Sequence, residues 1–238
     1  MQIKHMALID RLKQHILTPH CVECGSFSLD DSLMCQNCFS LFIDISFAHE
    51  SEIMKEENQL KIQRRSNTDI NYLFDWGNKN QKMCSEIIYR IKNSRCRPTI
   101  SFYAKILYSK LSMEGFIQNI SAIVPVPGST EKSNLAETIA GEIGILSNIP
   151  IEKWIARRSP EASQNTQKSL NLEQRKNRNR FVLNCPIEKI SKNPSETKSH
   201  VMLVDDVITT GETINECSRL LERHFSVKAS AFFYREKN

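Results

Sequence analysis

No stretch of these 238 residues reaches about 18 consecutive apolar side chains, so the chain lacks a helix able to span a bilayer. The opening MQIKHMALIDRLKQHIL has charge scattered along it and no continuous apolar segment of the kind a secretory signal needs. Its apolar residues Ile3, Ala7, Leu8, Leu12 and Ile16 recur at helical spacing and predict a short amphipathic helix. A cytoplasmic protein without membrane insertion is the expectation. Internal repeats and low-complexity tracts are missing as well. So are the phosphate-cradling pattern G-x-x-x-x-G-K-[ST] and the dinucleotide fingerprint, since GEIG at 141–144 lacks its spacing. Nucleotide hydrolysis and hydride transfer thereby lose their usual signatures.

What remains is a globular composition, 40% hydrophobic and 25% charged, which excludes an intrinsically disordered chain. The length allows one α/β domain of ordinary size and a small satellite. The formal charge is only +5, but it is unevenly spread. Lys153 to Arg180 holds eight Lys/Arg against two Glu, and Ile87 to Met113 holds six basic residues and no acid. Two basic stretches on a near-neutral body point to anionic ligands, whether phosphates or nucleic acid.

In the expected reducing compartment, eight cysteines favour metal binding or packing over disulfides. CVECGSFSLDDSLMCQNC places Cys21-x2-Cys24 ten residues ahead of Cys35-x2-Cys38. A two-residue gap lets both thiolates of a turn face one centre, and two such turns complete the closed tetrahedron of a structural Zn²⁺. Gly25 follows the first pair, where a tight turn favours positive φ. Fewer than 50 residues bury little core, so the metal is expected to supply most of this module's folding energy. Cys84, Cys96, Cys185 and Cys217 stand singly and read as packing residues.

The chain divides into a zinc-ribbon or knuckle module at 1–47, a charged connector at 48–69 (AHESEIMKEENQLKIQRRSNTD), and a larger domain at 70–238. In the larger domain INYLFDW, SAIVPVP, IEKWIA, RFVLN, VMLV and VKASAFFY read as strands. QKMCSEIIYRIK, the segment through Ile100, Ala104, Leu107 and Leu111, SNLAETIAGEIGIL with Ser133 as N-cap, and ETINECSRLLERHF read as helices. Alternating strands and helices predict an α/β fold: a mostly parallel twisted sheet with helices on both faces. Ligands bind such sheets at the carboxyl ends of the strands.

VMLVDDVITTGET, residues 201–213, sets two acids at such an end and follows them with threonines around a glycine. Asp205 and Asp206 are acceptors suited to a diol or a hydrated Mg²⁺. Thr209, Thr210 and Thr213 offer hydroxyls, Gly211 lets the backbone approach, and the next helix begins with free N–H groups and its positive dipole end. One end of the loop suits hydroxyls and the other an anion, as in a sugar phosphate. A phospho-acceptor aspartate is the rival reading, but it leaves the threonine-glycine continuation unexplained.

This segment resembles the phosphoribosyl pyrophosphate binding motif of type I phosphoribosyltransferases. With the cysteine module in front, and with IIYRIKNSR, IVPVPGS, SNLAETIA and TQKSLNLEQRKNRNRF in order, the chain resembles the ComF family of competence-associated proteins. The resemblance implies a type I phosphoribosyltransferase-like fold that binds phosphoribosyl pyrophosphate or ribose 5-phosphate with Mg²⁺. Asp205 and Asp206 would take the ribose hydroxyls, Thr209 to Thr213 the 5′-phosphate, and Gly128 and Ser129 the pyrophosphate through backbone amides. Lys92 would meet the pyrophosphate as a point charge. The implied setting is natural transformation, with imported single-stranded DNA and DNA-uptake or helicase proteins as partners. Either turnover as a transferase or a ligand-sensing scaffold role fits it. Arg157, Arg158, Arg175, Lys176 and Arg178 are the candidates for salt-dependent contact with a nucleic-acid backbone; Arg157 or Arg158, Gln167 and Arg175 match family positions that close over substrate. The chain departs from the family at 130–134, where TEKSN stands in place of Arg-Gly-Phe-Asn. A lysine there does not reproduce a bidentate phosphate contact.

Overall fold

The computed structural model describes residues 20–28, 31–48, 68–77, 81–94, 97–128, 135–158, 180–184 and 199–235. The N-terminal helix expected over 3–16, most of the 48–69 connector, and Cys96, Cys185 and Ser133 lie outside these. The elements are α1 (Gln36–Ala48), β1 (Asp69–Asp75), α2 (Gln81–Ser94), α3 (Arg97–Met113), β2 (Ile120–Pro125), α4 (Leu135–Ser147), β3 (Ile155–Arg157), β4 (Phe181–Leu183), β5 (His200–Ile208), α5 (Glu212–Leu221) and β6 (Ser226–Tyr234).

Four strands form one parallel sheet in the order β1-β6-β5-β2. Its central strands carry apolar residues on both faces, as a sheet covered twice must. Along β5, Met202 and Val204 enter one core with Ile87 and Ile91 of α2, Leu107 and Leu111 of α3, and Ile139 and Ile143 of α4. The alternate residues Val201 and Leu203 enter a second core with Ile214, Cys217 and Leu221 of α5, and with Ala229 and Ala231 of β6. The fold is thus mixed α/β with a parallel sheet flanked by helices.

Two of the expected strands form, but short and apart from the main sheet. IEKWIA yields only the short β3, preceded by a single parallel bridge from Ile151 to Ile123. RFVLN yields β4, which pairs antiparallel with β3, Arg157 opposite Phe181, apart from the main sheet. Three residues a strand suffice for a local hairpin but not to extend the sheet. The acids are also not in a loop: β5 runs four residues past Val204, because β6 keeps pairing with it up to Ile208–Tyr234.

Adjacent strands β2 and β5 send their chains to opposite sides. After β2 the chain forms α4 on the first face and returns at Ile151 beside β2, with Ile123 N–H donating to Pro150 at 2.9 Å. Gly144 permits this return, since a Cβ there would stand 2.9 Å from Ile151 Cγ1 and 3.0 Å from the Ile149 carbonyl. After β5 the chain forms α5 on the second face and enters β6. The connections after β2 and β5 therefore leave for opposite faces, the kind of switch point whose crevice takes ligands in open α/β sheets.

The cysteine module shares the first core. Cys21, Met34 and Phe42 are buried there with Leu73, Phe74 and Tyr103. Phe42 packs on Phe74 at 4.4 Å between ring centroids, Phe39 meets Phe102 edge-on at 5.3 Å, and the Tyr103 hydroxyl donates to the Ser32 carbonyl at 2.6 Å. Phe42→Ala is expected to cost about 3–5 kcal/mol, as buried Phe truncations do. In urea unfolding, the fluorescence of Trp76 and Trp154 should report that loss at a lowered midpoint. An unchanged midpoint would mean the module does not stabilise the sheet.

Candidate functional site

Among the described residues no strand pairs with the β2 side of β5 beyond Val204. The last β2 pairing joins Pro125 to Val204, and the Val126 N–H donates to the Val204 carbonyl at 2.8 Å before the chain turns away. Asp205 and Asp206 follow on β5, held on the other side by β6. The Asp206 N–H donates to Asp205 Oδ1 at 2.8 Å, and Asp206 Oδ2 pairs with Lys92 Nζ at 2.8 Å. Lys92 comes from the last turn of α2, more than a hundred residues away in sequence. The structure thus joins Lys92 to the acid pair. It also makes the two acids unlike one another: Asp206 has a cation, whereas burial first and the Asp206 charge second push Asp205 up to about 7.

Thr209 and Thr210 are half-buried at the end of β5, and Gly211 is buried in the left-handed conformation, φ 74°, as the N-cap of α5. A side chain there would be strained. No side chain caps this helix; only the Glu212 N–H reaches Thr210 Oγ1, at 3.4 Å. Hydroxyls, a close backbone and the positive end of α5 therefore gather beside the two acids. Gly128, half-buried, ends the described part of the turn after β2; Ser129, Lys132 and Asn134 lie outside the described residues.

The four cysteines cluster at metal-ligand distances: their Sγ atoms all lie within 4.8 Å of one another. Cys24 and Cys35 are 3.8 Å apart, close to the roughly 3.8 Å edge of a tetrahedron with bonds of about 2.3 Å. Gly25, φ 72°, returns the chain by donating to the Cys21 carbonyl at 3.0 Å. Cys35 directly precedes α1 and Cys38 lies in its first turn, where the helix dipole favours thiolate. The Ser26 hydroxyl, 3.0 Å away, holds Cys24 down at about 6, while burial and then Cys35 push Cys38 up to about 12. Four thiols so crowded ionise together only with a cation among them. The set fits Zn²⁺. Cys84 and Cys217 are fully buried and burial pushes each up to about 12, in keeping with packing.

Of the basic segment, Arg175, Lys176, Arg178 and Gln167 lie outside the described residues. Arg157 and Arg158 are exposed at the start of the hairpin. Arg157 Nε donates to the Pro127 carbonyl at 3.2 Å. Arg180 pairs with Glu216 of α5 through Nε at 2.7 Å and also through its backbone N–H. Of the aromatic side chains near this segment, Phe181 is 1% exposed, and Trp154 is half-buried and stacks on Phe225 at 5.1 Å. Sequence reading passed over Glu216 and the Arg157–Pro127 contact, because nothing in the order of residues joins them.

No family model matches the chain, and no curated protein matches it. Among the described residues no helix is long and apolar enough to cross a membrane.

Two outcomes are expected. Asp205 holds its proton more tightly in the folded protein than the ordinary value of 3.8 allows, so the stability this confers is complete below about pH 4 and lost as pH rises through about 7. Asp205→Asn should therefore gain on the parent as urea midpoints are compared from pH 5 to pH 8; parallel profiles would contradict it. For the cysteines, elemental analysis should find about one zinc per chain, and chelation should lower the melting temperature of the whole fold. Substoichiometric metal with Cys21→Ser as stable as the parent would remove the zinc.

Proposed function

We propose that the crevice between β2 and β5 binds phosphoribosyl pyrophosphate, and that the chain is a ComF-like protein of the type I phosphoribosyltransferase fold acting in natural transformation. One observation carries this reading: Lys92, Asp205, Asp206, the threonine turn and the uncapped start of α5 meet at one switch point. A ribose lying across the carboxyls has its 5′-phosphate against Thr209 to Thr213 and the α5 amides. Its pyrophosphate lies toward Gly128 and Lys92. Asp206, already paired with a cation, would offer a hard oxygen to Mg²⁺, which proteins commonly hold through one or two carboxylates and the ligand's own phosphates. Bound there, Mg²⁺ would offset charge on departing pyrophosphate.

The residues suit displacement at the anomeric carbon. Positive charge grows on the ribose ring as pyrophosphate leaves, and carboxylates beside the ring favour that charge. Lys92 exchanges Asp206 for the phosphates when ligand arrives. A non-catalytic sensing or scaffold role is the second reading, favoured by TEKSN at 130–134, where a lysine replaces a forked arginine. Isothermal titration with phosphoribosyl pyrophosphate and Mg²⁺ should give saturable binding that Asp206→Ala weakens at least tenfold. Released pyrophosphate with a candidate acceptor establishes turnover, and binding without release establishes the sensor. No binding by the parent overturns both.

The DNA part of the reading rests on the charge of residues 153–180. Binding of a single-stranded oligonucleotide should weaken steeply with salt, and neutralising Arg175, Lys176 and Arg178 together should flatten that slope. A flat response in the parent removes DNA from the proposal.

A further inference from the structure

The β3–β4 hairpin is braced against both sides of the crevice. Through Arg180 and Glu216 it is tied to α5, which follows β5. Through Arg157 Nε it is tied to the Pro127 carbonyl, which follows β2. Both guanidinium groups lie on the ring of buried Phe181, Arg157 at 5.1 Å and Arg180 at 5.5 Å from its centroid. Within the hairpin, Arg158 N–H donates to the Arg180 carbonyl at 2.9 Å, and Asn184 N–H to the Trp154 carbonyl at 2.7 Å. Arg180 has a carboxylate partner. Arg157 has none among the described residues, and its one hydrogen-bonded partner there is the Pro127 carbonyl.

That carbonyl belongs to the peptide whose N–H is that of Gly128. The described peptide bonds include no cis bond, and in a trans peptide the C=O and N–H point in opposite directions. Fixing the Pro127 carbonyl on the hairpin side therefore aims the Gly128 N–H away from the hairpin. The Val126 N–H is already engaged by Val204, and Pro127 has no N–H, so Gly128 carries the first amide after β2 that no described residue engages. A turn that rotated this peptide would present a carbonyl in its place and repel an anion.

We propose that Arg157 is a positioning residue, which by holding the Pro127 carbonyl orients the Gly128 N–H toward the pyrophosphate end of a ligand in the crevice. The inference rests on the phosphoribosyl pyrophosphate reading and adds a role for a residue that its sequence neighbours mark only as part of a basic surface. The ring of Phe181 and the hairpin ladder limit the freedom of the guanidinium, so the orientation is set before ligand arrives, and little ordering remains at binding.

The test compares two ligands on two variants. Arg157→Met keeps the aliphatic stem over Phe181 and removes the donors; Arg219→Met makes the same charge change at an exposed position in the last turn of α5. Titration is run with phosphoribosyl pyrophosphate plus Mg²⁺ and with ribose 5-phosphate, which has no pyrophosphate. Arg157→Met should weaken the first at least tenfold and the second less than twofold, while Arg219→Met leaves both within twofold. Thermal melting of each variant within a few degrees of the parent shows that the fold is kept. Equal loss for both ligands, no loss for either, or the same loss in Arg219→Met overturns the assignment to Arg157 while leaving the binding site standing. A parent that binds neither ligand overturns the site itself, and this role with it.

Discussion

Strand β5 outlasts its neighbour β2, and most of the candidate site depends on that mismatch. Up to Val204 the strand is hydrogen-bonded on both sides and filled with apolar residues facing both cores. From Asp205 onward, among the described strands, β6 alone pairs with it, so polar side chains are tolerated on a strand that otherwise has no place for them. The same divergence throws α4 and α5 to opposite faces and leaves their starts on either side of the gap. A carboxylate pair, a threonine turn and a helix N-terminus are thereby brought together by one feature of sheet topology.

The acid pair answers its own repulsion in two ways. Asp206 is neutralised by Lys92 across the crevice, and Asp205 retains a proton well above the usual carboxylate range. The two adjacent carboxyls thus differ in surroundings, one paired with Lys92 and the other buried and held above the usual carboxylate range.

The cysteine module belongs to the same body as the sheet. Its two turns gather the thiols, while α1 and the intervening loop extend Phe42, Met34 and the Ser32 carbonyl into the core beside β1 and α3. A metal at the cysteines thus stabilises a surface on which part of the larger domain is packed. The expected boundary at residue 47 marks a change of sequence pattern, and the contacts run across it.

Local patterns were enough wherever the physical cause is local. The 3.6-residue stripe of Ile87, Ile88 and Ile91, the continuous apolar run before Asp205, and the paired two-residue spacing of the cysteines each specify geometry within a few neighbours, and the structure agrees with them. Tertiary structure alone decided which distant residues meet. Lys92 on Asp206, Arg157 on Pro127 and Arg180 on Glu216 depend on strand order and on which face each helix covers. So does the end of β5, which the apolar pattern placed at Val204 and which β6 carries on to Ile208. Periodicity reports what one segment buries; the length of a strand and the partner of a charge are set by neighbours that no single segment contains.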